Sequence, residues 1–88
     1  MNPVIQIVLK EEMEQASKRY GNFHSPHELW GVFKEEEEEY WDSVKGNKED
    51  LYELLQACSV GLRYINQLVM DNPSVLDTIV QAQERRWS

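Results

Sequence analysis

At 88 residues, with a net charge of -7 and a pI near 4.7, the chain has room for a single core. Its 41% apolar and 28% charged residues fit one folded domain over residues 1–88 rather than a disordered chain. The acidic balance argues against nonspecific binding to nucleic acid or anionic membranes, and it repels free nucleotides unless a cation screens the carboxylates.

The longest apolar stretches, Val4-Ile5, Ile7–Leu9 and Leu68–Met70, are far too short to span a bilayer, and no secretory signal pattern is visible. The single cysteine, Cys58, cannot form an internal disulfide, so a reducing, cytoplasmic setting is expected.

Asn2-Pro3 is a helix entrance, with Asn placed to cap and Pro at the first helical position. Ile5, Leu9, Met13, Ala16 and Tyr20 then recur at helical spacing, and Gly21-Asn22 supplies a C-terminal stop. Ser25-Pro26-His27-Glu28 carries the signature of a capping box. It predicts a second helix from about Pro26 to Lys45, with Leu29, Trp30, Phe33, Tyr40, Trp41 and Val44 as its apolar stripe. His24 and His27 flank Pro26 and cannot share a helix face, so a capping and loop role is expected of them.

Gly46-Asn47-Lys48 is a short turn, which makes the second and third helices antiparallel neighbours. The third runs from about Glu49 to Met70, with Leu51, Leu54, Leu55, Cys58, Leu62, Ile65 and Val69 on a broad apolar face. Cys58, in the middle of that face, is expected to be a buried small hydrophobe. Opposite the leucines, Glu53, Gln56, Arg63 and Gln67 surround Val60 and Tyr64. One helix thus faces two partners, and a dimer would cover both. Asp71-Asn72-Pro73-Ser74 breaks the helix, and Ser74 with Asp77 resembles a capping box for a short last helix. The expected fold is all-α, a bundle of three long helices plus a short C-terminal one, completed by oligomerisation.

The densest chemistry lies at Lys34–Asp42, KEEEEEYWD. At 100° per residue, Glu35 and Glu38 fall on the solvated side, while Glu36 and Glu39 lie one turn apart at the edge of the apolar stripe. Glu37 falls among Trp30, Phe33 and Trp41, where an unpartnered charge is costly, so it must reach solvent, a cation or another subunit. Measured from the turn at about 1.5 Å per residue, Glu39 and Glu53 lie roughly 11 and 10 Å up their helices, and Glu36 and Gln56 roughly 16 and 14 Å. Four oxygen-bearing side chains at matching heights suit Mg²⁺, or Mn²⁺ in its place. The bland alternative is an exposed acidic face.

Three patterns occur in order: F-x-S-x-H-E from Phe23 through Ser25 to His27 and Glu28, V-x-x-E-E-x-E-E-x-W-D-x-V-K from Val32 to Lys45, and E-x-x-Q-A-x-x-x-x-L-R-Y-I from Glu53 to Ile65. Together they resemble the MazG-like nucleotide pyrophosphohydrolases of the all-α NTP pyrophosphatase superfamily, most closely the short phage and bacterial members. The similarity covers about Glu14 to Leu68. It implies helical bundles that associate as homodimers or homotetramers and cleave nucleoside triphosphates, with Mg²⁺, into a monophosphate and pyrophosphate. The family's metal signature, ExxE followed by ExxD, falls on Glu36, Glu39 and Glu53, with Glu35 an adjacent catalytic candidate. Gln56 stands where the family has aspartate, which removes one negative charge. A spare glutamate, Glu35 or Glu37, would take the water's proton, and Trp30, Tyr64 or Trp41 would stack a base. The alternative is a helical interaction or regulatory module that has lost a full metal site, which Gln56 and the small size favour.

Overall fold

Four helices and no strand make up the computed structural model, which describes all 88 residues: α1 (Pro3–Tyr20), α2 (Pro26–Lys45), α3 (Leu51–Asp71) and α4 (Ser74–Trp87). None is long and apolar enough to cross a membrane.

The helix ends follow local chemistry. Asn2 Oδ1 accepts from the Val4 and Ile5 N–H groups at 2.8 and 3.2 Å, satisfying two of the free donors at the start of α1. α1 stops at Gly21, whose φ of +72° few side chains tolerate. Ser25 Oγ accepts from the Glu28 N–H at 3.1 Å, so the predicted cap on α2 forms. Only half of the expected capping box is present, because the Glu28 carboxylate turns instead to His24 Nδ1 at 3.1 Å. The turn after α2 places Asn47, at φ +56°, in the left-handed conformation that asparagine tolerates.

Two boundaries differ from expectation. α3 begins at Leu51 rather than Glu49, because Asp50 is its cap and accepts from Tyr52 and Glu53 N–H at 2.9 and 3.4 Å. α4 is not short: it runs 14 residues, through the polar tail to Trp87. Nor does Ser74 cap it. Asn72 Oδ1 accepts from both the backbone N–H and the hydroxyl of Ser74, so the asparagine before Pro73 organises this entrance.

α3 is the axis of the molecule: α1, α2 and α4 each pack on it and not on one another. α2 runs antiparallel to it, as the contacts Tyr40–Glu49 and Phe23–Gln67 at opposite ends require. α1 runs parallel to it, with Glu12 meeting Tyr52 and Gly21 meeting Arg63. The α1–α2 loop is clamped onto α3. Gln67 accepts from the Phe23 N–H at 2.8 Å and donates to the Phe23 carbonyl at 2.7 Å, satisfying both main-chain groups of a buried residue.

The inward face of α3 is the polar one. Its buried residues are Ala57, Ser59, Val60 and Arg63, and with Phe23 they are the only five buried residues in the chain. Leu51, Leu54, Leu62 and Ile65 are 38–65% exposed, and Cys58 between them is exposed as well. Cys58 is therefore not buried as expected, and of this face only Leu55 and Val69 are even half-buried in the single chain. The side chains of Arg63 and Gln67 make specific bonds to the loop, whereas leucines require only apolar cover. On α2, Trp30 and Trp41 are likewise more than half exposed, and Glu37 sits between them in solvent, free of the burial cost its position suggested.

A folded monomer of this mass exposes about 5,400 Å²; this chain exposes 7046 Å². Its radius of gyration is 14.6 Å, against about 12 Å for a compact domain of this length. Large apolar side chains on all four helices, the outer face of α3 among them, contribute to that surface.

Candidate functional site

The acidic run of α2 meets the first turns of α3. Antiparallel packing brings one carboxylate oxygen each from Glu36, Glu39 and Glu53 within 4.8 Å of one another. Glu36 and Glu39 project together because they are one turn apart; Glu53 is held in the first turn of α3 by the Asp50 cap. Glu36 and Glu53 are half-buried and Glu39 is exposed.

Three like charges at this spacing oppose one another. Burial raises the Glu36 carboxyl above its ordinary range, and the charges of Glu39, Glu53 and Glu35 raise it further. Glu53 is also raised, by burial first, then by a hydrogen bond with Glu39 and by the charges of Glu39 and Asp50. No lysine or arginine pairs with any of the three; the nearest acidic-run ion pair is Lys34–Glu38 at 3.1 Å, on the solvent side. The Oε2 atoms of Glu36 and Glu53 are buried with no hydrogen-bond partner. Buried carboxylate oxygens without donors are costly. A divalent cation held by the three carboxylates would relieve that cost.

Glu36 also forms one end of an open cavity of about 970 Å³ enclosed by α1, α2 and α3. Gln56 and Glu35 line the same cavity, so two further residues of the expected site lie beside Glu36. Glu35 is exposed, as its helical angle predicted, yet close enough to contribute to the charge on Glu36. Glu39 and Glu53 lie at the cavity's edge, outside its lining. None of the aromatic residues expected to stack a base lines it: Trp30 and Trp41 are on the outer surface of α2, and Tyr64 packs edge-on against Phe23 at 5.9 Å.

Three residues of the cavity had no expected role there. Glu12 reaches it from α1 and accepts a 2.8 Å hydrogen bond from the Tyr52 hydroxyl, which lines the cavity too. The bond to Glu12, more than burial, makes the Tyr52 hydroxyl harder to ionise. Arg63 closes the far end. Its place seven residues after Gln56, two helical turns on one face, was the available signal. For Glu12 there was none, since the sequence leaves the direction of α1 against α3 open. His24 and His27 are exposed, away from the carboxylates, and His24 pairs with Glu28.

No family model, no curated protein and no solved structure matches this chain.

Proposed function

We propose that the chain is a Mg²⁺-dependent nucleoside triphosphate pyrophosphohydrolase, releasing a nucleoside monophosphate and pyrophosphate. The observation that carries this reading is the meeting of Glu36, Glu39 and Glu53 with two buried, unpartnered carboxylate oxygens beside a cavity large enough for a nucleotide. The resemblance of the three sequence patterns to MazG-like pyrophosphohydrolases supplies the reaction.

In this reading Glu36, Glu39 and Glu53 hold Mg²⁺, or Mn²⁺, and Gln56 contributes a neutral oxygen where the family has a charged one. When bound, the ion neutralises phosphate charge and lowers the pKa of a water. The three glutamates fix its position from two rigid helices, which sets where the substrate's phosphates lie. Glu35, one residue from Glu36 on the cavity wall, accepts the proton of the attacking water. Glu37 points away from the cavity and takes no part.

The test is a panel of NTPs and dNTPs assayed for pyrophosphate with Mg²⁺ and Mn²⁺. Glu36→Gln or Glu39→Gln should lower the rate by about a hundredfold or more. If metal-loaded protein cleaves nothing in a broad panel, the enzyme reading is lost. The missing charge at Gln56 favours a second reading, a helical interaction module without catalysis. Calorimetric titration separates them, since the module predicts no Mg²⁺ or Mn²⁺ binding.

The functional unit in this proposal is a homodimer, or a tetramer built from it. The excess of about 1,600 Å² over a compact monomer matches what each partner of an obligate homodimer buries, about 1,000–2,500 Å². The exposed Leu51, Leu54, Cys58, Leu62 and Ile65 form a single apolar row to fill such an interface. Sedimentation at micromolar concentration should show at least twice 10.4 kDa; a monomer alone would remove this part of the proposal.

A further inference from the structure

The cavity that begins at Glu36 ends in positive charge. Arg63 is 8% exposed, and its Nε is buried with no hydrogen-bond partner. Nη1 donates to the Gly21 carbonyl at 3.1 Å, and the guanidinium lies 4.4 Å over the Phe23 ring. No carboxylate pairs with it: the ion pairs of the molecule are His24–Glu28, Lys34–Glu38 and Lys45–Asp42. A buried cation without a counter-ion is as costly as a buried carboxylate without a donor. Lys18 and Arg19, in the last turn of α1, line the same cavity and are also unpaired. Three of the chain's nine lysines and arginines thus line one cavity of a protein whose net charge is -7. Of the carboxylates lining the cavity, Glu28 is engaged by His24 and Glu12 by Tyr52.

We infer that Arg63, with Lys18 and Arg19, forms an anion subsite that takes the terminal phosphates of a triphosphate, the pair that leaves as pyrophosphate. This rests on the proposed hydrolase reading, and it adds the polarity of the substrate in the cavity. Arg63 lies two turns beyond Gln56 on one face of α3, about 10 Å along the axis, and helical side chains lean back toward the N-terminus, here toward the glutamates. An extended triphosphate can bridge that gap, with the scissile linkage at the carboxylate end and its free end at the guanidinium. Arginine suits the task because its planar fork offers donors that remain charged in a buried site.

The probe is inorganic pyrophosphate, titrated calorimetrically into full-length protein in Mg²⁺, with Mn²⁺ titrated separately. Arg63→Gln should weaken pyrophosphate binding about tenfold or more, as expected for lost charged hydrogen bonds, while Mn²⁺ affinity stays unchanged. Arg63→Lys should recover part of the loss. The inference is overturned if wild-type protein binds no pyrophosphate, or if Arg63→Gln changes its affinity less than twofold. A parallel loss of Mn²⁺ affinity would make Arg63 a purely structural residue and overturn it as well. Should Arg63→Gln lose its helical circular dichroism, Lys18→Ala/Arg19→Ala, at the cavity's outer wall, decides by the same tenfold and twofold limits. Pyrophosphate binding through these residues without cleavage of any nucleotide would keep the subsite and remove only the hydrolase reading.

Discussion

The two faces of α3 differ in a way that reverses the usual order of burial. Inward it presents Glu53, Gln56, Ser59, Arg63 and Gln67 around Ala57 and Val60; outward it presents Leu51, Leu54, Cys58, Leu62 and Ile65. A helix whose apolar face is exposed and whose polar face is covered is incomplete as a monomer. The inner face is held by directional bonds to the α1–α2 loop and by carboxylates that oppose one another, so it contributes geometry at a cost in stability. The outer face offers apolar area without direction, and in the proposed dimer a second copy would turn that area into stability. On the proposed dimer, the division teaches that a small chain can devote its interior to a site by moving its core between subunits.

The largest effect should come from breaking the outer face. Leu54→Glu/Leu62→Glu removes two side chains whose burial in the proposed dimer would contribute about 1.5–3 kcal/mol each, or about 3–6 kcal/mol per protomer. Sedimentation should show a shift to monomer, and circular dichroism a lower melting temperature or loss of helix. An unchanged oligomer would show that the leucine row is not the interface.

The next effect belongs to the inner face at the carboxylates. Both Glu36 and Glu53 titrate above their ordinary 4.5, so the folded protein holds these protons more tightly than the unfolded chain. Their protonated forms therefore contribute stability fully below about pH 4.5, and that contribution is lost as pH rises through the raised values. Without metal, the melting temperature of wild type should fall relative to Glu36→Gln between pH 4.5 and 7. Saturating Mg²⁺ should reverse the order at pH 7, adding about 2.7 kcal/mol to wild type at a hundred times its dissociation constant. Glu36→Gln should gain little. Equal pH profiles for the two proteins would deny that these charges are in conflict.

These two faces were not equally legible. Caps and turns set α1, α2 and the antiparallel pairing, and with a fixed rise per residue they were enough to match Glu39 with Glu53 and Glu36 with Gln56 in height. The same helical pattern separated the leucines from Val60 and Tyr64 on α3, but it could not say which set turned inward. That choice depends on Phe23, Arg63 and Gln67, which are joined across more than forty positions of sequence. Periodicity records how often a residue faces one side and nothing about what awaits it there. Hence Cys58 and the tryptophans of α2 were expected inside and lie outside. The proposed ligand role of the glutamates and Gln56 rests on their chemistry together with the resemblance of the sequence patterns.

A smaller effect sharpens the inner face at its other end. Gln67→Leu keeps the apolar area and leaves the Phe23 N–H and carbonyl without partners, which should cost about 1–3 kcal/mol. Urea denaturation measures it. Because the loop also holds Arg63 through Gly21, pyrophosphate binding should weaken together with stability. Mn²⁺ affinity, which the proposal assigns to the glutamates, should not. A change in Mn²⁺ affinity alone would mean that the loop and the carboxylates are coupled more tightly than their separation suggests.

The smallest effect separates geometry from charge at the start of α3. Asp50 caps the helix through Tyr52 and Glu53 N–H, and its charge also raises the Glu53 carboxyl. Asp50→Ala removes both influences and should cost about 1 kcal/mol in urea denaturation. Asp50→Asn keeps the cap, because the two residues cap almost equally well, and removes only the charge. It should leave stability within about 0.5 kcal/mol of wild type, since asparagine preserves the cap, while Glu53 ionises more easily. If Asp50→Asn costs as much as Asp50→Ala, the carboxylate itself holds the first turn of α3 through the helix dipole. The register that carries Glu53 to Glu36 and Glu39 would then depend on charge as much as on the hydrogen bond.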